Sequence, residues 1–446
     1  MNMKFLIETH GCKLNAADSQ KLAQEFVAAG YSVAHDGDAP DVFVLNSCTV
    51  THVADRKARQ AAASARRRFP SALTVVTGCY AERAEDAVAA LACVDMAVTN
   101  RGKSGVVARV TERLGARLTP CTDGAAIAAA PLLLGRTRAS VKIQEGCDQV
   151  CAYCIVPKVR GRERSIPEGQ IVAEVRSLAE AGIPEVVLTG TQLGSYGSDI
   201  GGTDLARMVA RTLLETPVRR LRVSSLQPLE VTDALLGVWT GPGRGRLCPH
   251  FHLPLQSGSS DVLTRMRRRY GPDEFLRTVE RVRAAVPDCS VTTDVIAGFP
   301  GETDADHAAT LAVMEAARFA DAHVFPYSAR PGTSAAHFAG QAPVEVRAAR
   351  AAELREVAGR HAVAHRRGFV GSVRQVLWEL RRGSEGLTDN YLRVRLAGAH
   401  GRGGPALVRD RDTLIEDVRL TGLDGDVMTG EPVRVGEVLL AGTEGA

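Results

Sequence analysis

The chain has 446 residues, of which 45% are hydrophobic and 24% charged, and its formal net charge is +4. This composition is that of a soluble globular protein with two or three domains, and so small a charge does not by itself argue for nucleic-acid binding. Residues 1–10 lack the apolar core of a signal peptide, and the longest apolar run, Ala125 to Leu134, is about half a membrane span. We therefore expect a cytoplasmic protein with no membrane partner, whose ten cysteines include metal ligands.

The first part of the chain, residues 1–115, repeats a pattern of apolar run, polar loop and helical stretch. The apolar runs are Phe5–Ile7, Val42–Leu45 and Leu73–Val76. Helices are predicted after them to about Ala29, to about Phe69, and from Glu82 to Leu91. Strands that alternate with helices predict a doubly wound parallel α/β domain.

Each of these predicted strands is followed closely by one cysteine: Cys12, Cys48 or Cys79. The carboxyl ends of parallel strands lie along one edge of a sheet, where ligands bind, so the three thiols should meet there. The sequence thus predicts a three-thiolate metal site with an open coordination position. The alternative is that these are small buried side chains, which is how we interpret Cys93, Cys121 and Cys248.

Residues 104–137 have the composition of a connector, and strand–helix alternation then resumes in a second predicted domain, 133–366. Its strands are predicted at Ser140–Gln144, Glu185–Leu188, Leu221–Ser224, Phe251–Leu255, Ser290–Ile296 and His323–Tyr327. Helical patterns lie near 168–181, 203–215, 231–239, 259–285 and 303–317. Six such units predict a (β/α)6 barrel or open partial barrel with its function at the carboxyl ends of the strands.

A second group of cysteines, Cys147, Cys151 and Cys154, follows the first of these strands. Three thiolates leave one iron of a 4Fe–4S cluster without a protein ligand and free to bind something else. A zinc site would need a fourth Cys or His at short spacing, and none closely follows Cys154. Buried free cysteines would give no reason for this spacing, so we predict an open-site cluster.

Small and polar residues at later strand ends are candidate cofactor contacts. A glycine-rich loop is by itself more often only a turn, but these loops fall at successive strand ends of one barrel. The candidates are Gly190, Ser224, Ser225, Gln256, Ser257 and Gly298.

The C-terminal part, 368–442, follows a helix predicted at 343–366 and changes to short β segments separated by glycine-rich turns. These segments are Val373–Leu380, Tyr391–Leu396, Ala406–Val408, Asp417–Leu420 and Val433–Leu440. They predict a small antiparallel five-stranded β-barrel of a kind often used on nucleic acids. Tyr391 could stack on a base and Arg393 could pair with a phosphate, or Tyr391 could be a core residue and Arg393 solvated.

The spacing of Cys147, Cys151 and Cys154, with Tyr153 before the last cysteine, resembles that of the radical S-adenosylmethionine (SAM) enzymes. In that family the open iron binds SAM, which is cleaved to methionine and a 5′-deoxyadenosyl radical. Two three-cysteine sites followed by a small β-barrel resemble the methylthiotransferases over essentially the whole chain. The resemblance implies that Cys12, Cys48 and Cys79 hold an auxiliary 4Fe–4S cluster, that the other triad holds the SAM cluster, and that the C-terminal barrel is an RNA-binding TRAM domain.

Four segments resemble one branch of this family: His10–Asn15, Asn46–Thr51, Ala54–Lys57 and Leu387–Val394. That branch acts on N6-threonylcarbamoyladenosine at position 37 of tRNA, next to the anticodon, and adds a methylthio group to C2. The resemblance implies tRNA, a sulfur donor and an electron donor of flavodoxin or ferredoxin type as partners. Alternative targets are isopentenyladenosine in tRNA or an aspartate of a ribosomal protein. An RNA-binding iron–sulfur electron carrier or sensor is an alternative of another class.

Overall fold

A computed structural model describes residues 3–35, 37–133, 135–379, 384–398 and 414–433. Its N-terminal α/β unit contains a five-stranded, all-parallel sheet in the order β2-β1-β3-β4-β5. The central strand β3 is buried at every position because helices cover both faces of the sheet. The strands are β1 (Lys4–Thr9), β2 (Ser32–Val33), β3 (Val42–Ser47), β4 (Leu73–Gly78) and β5 (Met96–Val98).

Among the described residues of this unit there are seven helices, four more than the three that the sequence predicted. The helix predicted from Glu82 to Leu91 is two short helices that meet at Ala84, and the predicted connector 104–137 contains three helices. One signal in the connector was missed, because Asp123 accepts hydrogen bonds from the amides of Ala125 and Ala126 and so caps a helix. The helices are α1 (Lys13–Ala28), α2 (His52–Arg68), α3 (Cys79–Arg83), α4 (Glu85–Ala89), α5 (Val106–Arg113), α6 (Gly124–Ala128) and α7 (Ala130–Leu133).

The central barrel has six parallel strands in two neighbouring sheets, β6-β9-β10 and β11-β12-β13. A bridge between Leu221 and Leu247, and a hydrogen bond from the Leu226 amide to the His252 carbonyl, join the two sheets. The barrel is therefore open between β6 and β13, as the sequence predicted. The strands are β6 (Arg138–Lys142), β7 (Gln144–Glu145), β8 (Arg164–Ser165), β9 (Glu185–Thr189), β10 (Arg220–Val223), β11 (His250–His252), β12 (Ser290–Ala297) and β13 (Asp321–Pro326), with β7 and β8 forming a separate hairpin.

Helices cover the outside of this barrel and bury one large apolar core against it. The helix predicted over 259–285 is interrupted, because Arg267 adopts a positive φ of 60° and Pro272 begins a new helix. Within the described residues, no helix is both long and apolar enough to cross a bilayer. The helices are α8 (Val156–Arg160), α9 (Glu168–Glu180), α10 (Leu205–Glu215), α11 (Asp233–Thr240), α12 (Ser260–Arg265), α13 (Pro272–Ala285), α14 (Asp304–Ala317) and α15 (Val344–Arg367).

The C-terminal strands form a closed barrel in the order β14-β15-β16-β18-β17 around a core that contains Trp378. The prediction of a small barrel is confirmed, but that of a wholly antiparallel one is wrong, because β16 and β18 pair in parallel. Strands β15 and β18 were missed, and the segments predicted at Ala406–Val408 and beyond Val433 lie outside the described residues. The strands are β14 (Val373–Trp378), β15 (Glu385–Thr388), β16 (Arg393–Leu396), β17 (Ile415–Asp424) and β18 (Val427–Pro432).

Helix α1 covers the edge strand β6 of the central barrel. The Gln20 side-chain amide donates to the Arg138 carbonyl at 3.3 Å, and its oxygen accepts from the Ser140 amide at 2.7 Å. These bonds satisfy backbone groups that an edge strand would otherwise leave open. The opposite edge, β13, leaves His323 and Phe325 exposed, whereas Val324 packs into the core. The lumen of the barrel is thus open to solvent at β13.

The C-terminal barrel docks at the amino ends of the central strands. Arg220 donates to the carbonyls of Leu387 and Thr388 at 3.3 and 2.9 Å. The Tyr391 ring stacks on His250, with ring centroids 4.1 Å apart and planes inclined by 3°. Tyr391 holds a positive φ of 75°, a conformation that a bulky residue keeps only when its surroundings enforce it.

Candidate functional site

The first three cysteines lie at the carboxyl ends of β1, β3 and β4, which are neighbours in the sheet. Cys48 and Cys79 directly follow a pair of registered residues, Ser47 and Gly78, and Cys12 follows the adjacent strand. Gly78 has a φ of +95°, and a Cβ there would lie 2.4 Å from the Ser47 carbonyl oxygen. Only glycine allows this close approach of the two strand ends. The three cysteines follow neighbouring strands at one edge of the sheet.

Asparagine side chains hold the loops that carry these thiols. The Asn15 amide donates to the carbonyls of His10 and Ser47, at 2.8 and 3.0 Å. Asn100 donates to the Val159 carbonyl at 2.8 Å, and its amide nitrogen lies 3.8 Å from the Cys79 sulfur. These bonds fix the thiol positions from both sides of the sheet edge.

The second triad lies on the loop after β7. The amide of its first residue, Cys147, donates a hydrogen bond to the Gly161 carbonyl at 3.1 Å. The backbone of Ala152 donates to the Met266 carbonyl and accepts from the Ala335 amide. The preceding Gly146 has a φ of +78°, and a Cβ there would lie 1.9 Å from the carbonyl oxygen of Arg162. The loop is therefore tied to the barrel on both sides.

Both triads contain thiols that resist ionisation on their own. Burial, with the added repulsion of Cys12 and Cys79, raises the pKa of Cys48 to about 11. Burial and the neighbouring Cys151 raise the pKa of Cys154 to about 12. Thiolates in such places require a compensating cation, which is what a bound metal group provides.

Helix α8 directly follows the second triad in the chain and packs against the first. The Cys79 side chain packs against Ile155 and Val159, and Ile155 directly follows Cys154 in the chain. From the same helix, the buried Arg160 hydrogen-bonds the Asn15 side chain beside the first triad. One short helix thus sets the separation of the two cysteine groups.

Two buried ionic clusters fix the N-terminal unit to the barrel around this contact. Asp18 pairs with Lys103 at 2.9 Å, with Lys142 at 2.9 Å and with Arg160 at 2.7 Å. On the other side, Asp55 pairs with Arg330 of the barrel at 2.6 Å. Charges buried in this way are retained only when partners compensate them, so the orientation of the two units is tightly specified.

Comparison with known proteins identifies the family. Residues 4–99 match a family described as "Uncharacterized protein family UPF0004", and residues 141–314 match the radical SAM superfamily. The chain is 35% identical to the threonylcarbamoyladenosine tRNA methylthiotransferase MtaB of Thermotoga maritima over 88% of this chain and 91% of that protein. The chain belongs to the radical SAM tRNA methylthiotransferases. It is also 35% identical to a tRNA-2-methylthio-N(6)-dimethylallyladenosine synthase of Mycobacterium bovis, over 99% of this chain and 90% of that protein.

The central fold of this methylthiotransferase also resembles a solved radical SAM structure. The chain aligns with the radical SAM methyltransferase TsrM from Kitasatospora setae with a TM-score of 0.51 and 15% identity, over 73% of this chain and 75% of that one. At this identity the likeness concerns the fold alone.

Membership of the radical SAM superfamily implies SAM and a 4Fe–4S cluster, and the thiols of this methylthiotransferase fit such a group. Among the described residues, neither triad has its sulfur atoms all within 4.8 Å of one another. Three thiolates are the donor set that a 4Fe–4S cluster takes when one of its irons is left for another ligand.

A group of glutamine and glutamate side chains lies beside Cys147, whose sulfur is 4.0 Å from the Gln192 side-chain oxygen. Gln227 donates to the side-chain oxygens of Gln192 and Gln149, at 2.6 and 2.9 Å. Burial raises the pKa of the adjoining Glu230 to about 7. The hydroxyl of Thr191, the residue before Gln192, is buried without a hydrogen-bond partner in the described part of the chain.

Sequence reasoning missed this glutamine and glutamate group. Gln192 follows β9, and Gln227 and Glu230 follow β10. At these two strand ends the sequence had singled out Gly190, Ser224 and Ser225. The same rule about carboxyl ends would have found them, had polar side chains been weighed with the glycines and serines.

The six predicted cofactor contacts lie at the carboxyl ends of their strands, with different surroundings. Gly190 packs against Gln144, and Gly298 leaves room for Arg347, whose Cγ would lie 2.3 Å from an added Cβ. The buried Ser257 hydroxyl lies 3.2 Å from that of Thr310 and also accepts from the Ser259 amide. The remaining candidates, Ser224, Ser225 and Gln256, adjoin the lumen strands β10 and β12.

The suggested RNA contacts of the C-terminal barrel are corrected. Tyr391 faces the central barrel and stacks on His250, so its ring is not available to a base in this structure. Arg393 pairs with Glu379 and Glu385 at 3.4 and 3.6 Å, and is not a free phosphate contact.

Proposed function

We propose that this methylthiotransferase adds a methylthio group to C2 of N6-threonylcarbamoyladenosine at position 37 of tRNA. The contact between the two cysteine triads through α8 supports methylthio transfer, because that reaction needs a radical source and a sulfur source at one place. The substrate is supported by relatives of that name from Thermotoga maritima and Bacillus subtilis, at 35% and 34% identity.

We assign Cys147, Cys151 and Cys154 to the cluster that binds SAM, and Cys12, Cys48 and Cys79 to a second 4Fe–4S cluster. When bound, these groups supply the reductive cleavage of SAM that activates an inert C–H bond, and the methylated sulfur that replaces the hydrogen. Radical chemistry of this kind belongs to the cofactors, and the protein positions them.

The residues of the chain orient the reacting groups. Asn15 and Arg160 hold the first triad against α8, and Arg268, whose Nη1 lies 3.5 Å from the Cys151 sulfur, supplies positive charge at the second. Gln192 and Gln227 lie beside Cys147, where their side chains can contact a cofactor. We keep the six predicted strand-end residues as SAM contacts, with the backbone of Gly190 and Gly298 serving for close approach.

The remaining expectations belong to the same proposal. The division into domains 1–115, 133–366 and 368–442 gives one unit for each cluster and a TRAM barrel for tRNA. An electron donor of flavodoxin or ferredoxin type and a sulfur donor are required, because the reaction consumes an electron and a sulfur atom. A cytoplasmic location follows from the tRNA substrate.

Nucleoside analysis of tRNA tests the proposal. A strain that lacks this gene should lose 2-methylthio-N6-threonylcarbamoyladenosine and accumulate the unmethylthiolated nucleoside, and a plasmid copy should reverse both changes. Unchanged levels would overturn the proposed substrate. Loss of the methylthio derivative of isopentenyladenosine instead would assign the chain to the function named for the mycobacterial relatives.

A second measurement separates the enzyme from an electron carrier. The reconstituted and reduced protein should convert SAM to 5′-deoxyadenosine. If it cannot, a role as an RNA-binding iron–sulfur carrier or sensor would replace the proposal.

A further inference from the structure

One lysine of the described chain extends into the barrel lumen without a hydrogen-bonding or ionic partner. Lys13 directly follows Cys12 at the start of α1, and its Nζ lies 5.7 Å from the centre of the Tyr391 ring. Its charged neighbours are Arg138, Arg222, Glu185 and Asp294. Apart from this ring contact, the Lys13 amino group makes neither a hydrogen bond nor an ion pair in the described part of the chain.

Both acidic neighbours of Lys13 are already compensated by other groups. Glu185 pairs with Arg220 at 2.7 Å and with Arg222 at 2.9 Å, and all three side chains are fully buried. Asp294 contacts His252 at 3.3 Å and His323 at 3.2 Å. The charge that remains to attract a ligand in this lumen is therefore positive.

The lumen can admit a ligand from solvent. His323 and Phe325 lie on the uncovered edge strand β13 and are exposed, and Lys13 and His252 are only partly buried. The ring centroids of His252 and His323 lie 6.1 Å apart, so the two imidazoles share this wall of the lumen. An anion that entered at β13 would meet the imidazoles and the Lys13 amino group.

The set His252, Asp294 and His323 has the composition of a divalent metal site, with atoms within 4.8 Å of one another. A cation there would be repelled by Lys13, which interacts electrostatically with both Asp294 and His323. The same surroundings favour an anion, so we do not assign a metal to this group.

We propose that Lys13 binds the carboxylate of the threonylcarbamoyl group and thereby selects this nucleoside over adenosines with apolar N6 substituents. The proposal rests on the proposed function. Positions C2 and C6 of adenine both adjoin N1, so a base that presents C2 to the first triad carries its N6 substituent close to that triad. Lys13 is the residue next to Cys12, and its ammonium group is suited to a charge-assisted hydrogen bond with a carboxylate.

The test measures binding by the full-length, cluster-reconstituted protein. Three anticodon stem-loops serve as ligands. They carry threonylcarbamoyladenosine, its threonyl methyl ester, which lacks the negative charge, or isopentenyladenosine. The wild-type protein should bind the free acid about ten-fold or more tightly than the ester, measured by fluorescence anisotropy. Lys13→Gln and Lys13→Met should lose this preference, and Lys13→Arg should keep most of it.

Lys21→Gln is the matched control, because Lys21 is an exposed lysine on the same helix and its removal changes the net charge equally. It should keep the full preference for the acid. Because Lys13 adjoins Cys12, the iron content is measured for every variant. Any variant that holds less iron is compared with wild-type protein from which iron has been removed to the same content.

Two results would overturn the assignment: a wild-type protein that binds acid and ester equally, or a Lys13→Gln variant that keeps the wild-type preference. These outcomes are distinct from failure of the proposed function, which the nucleoside analysis of tRNA reports separately. A strain that makes the methylthiolated nucleoside while its enzyme shows no preference for the acid would refute only the role of Lys13.

Discussion

Arg160 donates from Nη1 to the Asp18 carboxylate at 2.7 Å, across the contact between the N-terminal unit and the central barrel. Lys103 and Lys142 bind the same carboxylate, each at 2.9 Å. Burial alone would raise the pKa of Asp18, but these three cations hold it well below its ordinary range. Asp18 therefore stays ionised, and its ion pairs form a joint, meaning a charged contact that holds the two units together.

Asp18→Asn should lower the free energy of unfolding by about 3 kcal/mol, because it leaves buried cations with too little negative charge. Urea unfolding at neutral pH, followed by circular dichroism, measures the change. Glu112→Gln removes a carboxylate from an exposed site on α5 and should change the free energy by no more than about 0.5 kcal/mol. Equal stability of the two variants would show that the joint does not hold the units together.

Gly78→Ala should disturb the first triad without touching a cysteine. A Cβ at this position would lie 2.4 Å from the Ser47 carbonyl oxygen, and the φ of +95° with ψ of −164° is essentially restricted to glycine. We expect a loss of about 3 kcal/mol in stability, from strain and displaced backbone together, and reduced iron content after reconstitution.

Gly169→Ala is the control for that substitution. Gly169 lies in helix α9, and a Cβ there would meet nothing within 4 Å. Alanine should stabilise the helix by up to about 1 kcal/mol and leave the iron content unchanged. A Gly78→Ala protein with normal iron and stability would refute the packing argument.

The two cysteine triads should differ in what their loss abolishes. Cys151→Ala should eliminate cleavage of SAM, whereas Cys48→Ala should retain some cleavage but no methylthio transfer. The measurements are 5′-deoxyadenosine formation and nucleoside analysis of the tRNA product. Substitutions of Cys93, Cys121, Cys248 or Cys289 should leave the iron content unchanged, and equal loss of cleavage in Cys151→Ala and Cys48→Ala would contradict the division of roles.

Tyr391→Ala should loosen the C-terminal barrel from the central one. The ring stacks on His250 and lies 5.1 Å below the Arg222 guanidinium, so truncation should cost about 2 kcal/mol of stability. Tyr391→Phe keeps the ring and should stay within about 0.5 kcal/mol of the wild type. If Tyr391→Ala weakened tRNA binding while leaving stability unchanged, the base-stacking role predicted from the sequence would be restored.

His365 should make stability depend on pH. Burial, with Arg283 and Arg366 nearby, lowers the pKa of His365 to about 4, while the unfolded chain has a value of about 6.5. The unfolded state therefore binds more protons between these values, and stability should fall as the pH drops from 6.5 toward 4.

Because of this difference in pKa, protonation of His365 in the unfolded chain should lower the free energy of unfolding by at most about 2 kcal/mol between pH 6.5 and pH 5. His365→Gln can keep a hydrogen bond to Ser290 and should remove this part of the pH dependence. Urea unfolding at the two pH values checks it, with the exposed His337→Gln as control. Identical pH dependence in wild type and His365→Gln would exclude the effect.

The positions of the cysteines could be predicted because they follow from one rule of parallel sheets. Separate parallel strands are followed by Cys12, Cys48 and Cys79. The register of the sheet brings these strand ends to a common edge, independently of the conformation of the loops. The second triad is local in sequence, so its spacing alone indicated a cluster. Order and type of the elements in the two α/β parts follow from the same alternation of apolar runs and helices.

Other features could not be predicted, because they depend on contacts between distant segments. Strand β15 was missed because Gly386 breaks its apolar pattern. The same glycine allows β14 to approach closely, since a Cβ at this position would lie 2.5 Å from a Val376 methyl group. The inward position of Tyr391 depends on His250 in another part of the chain. Neither contact leaves a periodic signal in the sequence.

Helix α1 has a consequence for the enzyme as a whole. It begins with Cys12 and Lys13, and seven residues later Gln20 completes the backbone pairing of the barrel edge. The N-terminal unit, which carries the first triad, thus covers the edge strand β6 of the barrel. Its radical-generating half is consequently not a free-standing module: cut away from residues 1–115, it would present a bare strand edge and unpaired buried cations. Because helix α8 follows one cysteine group and packs against the other, a change at either group would also disturb the other.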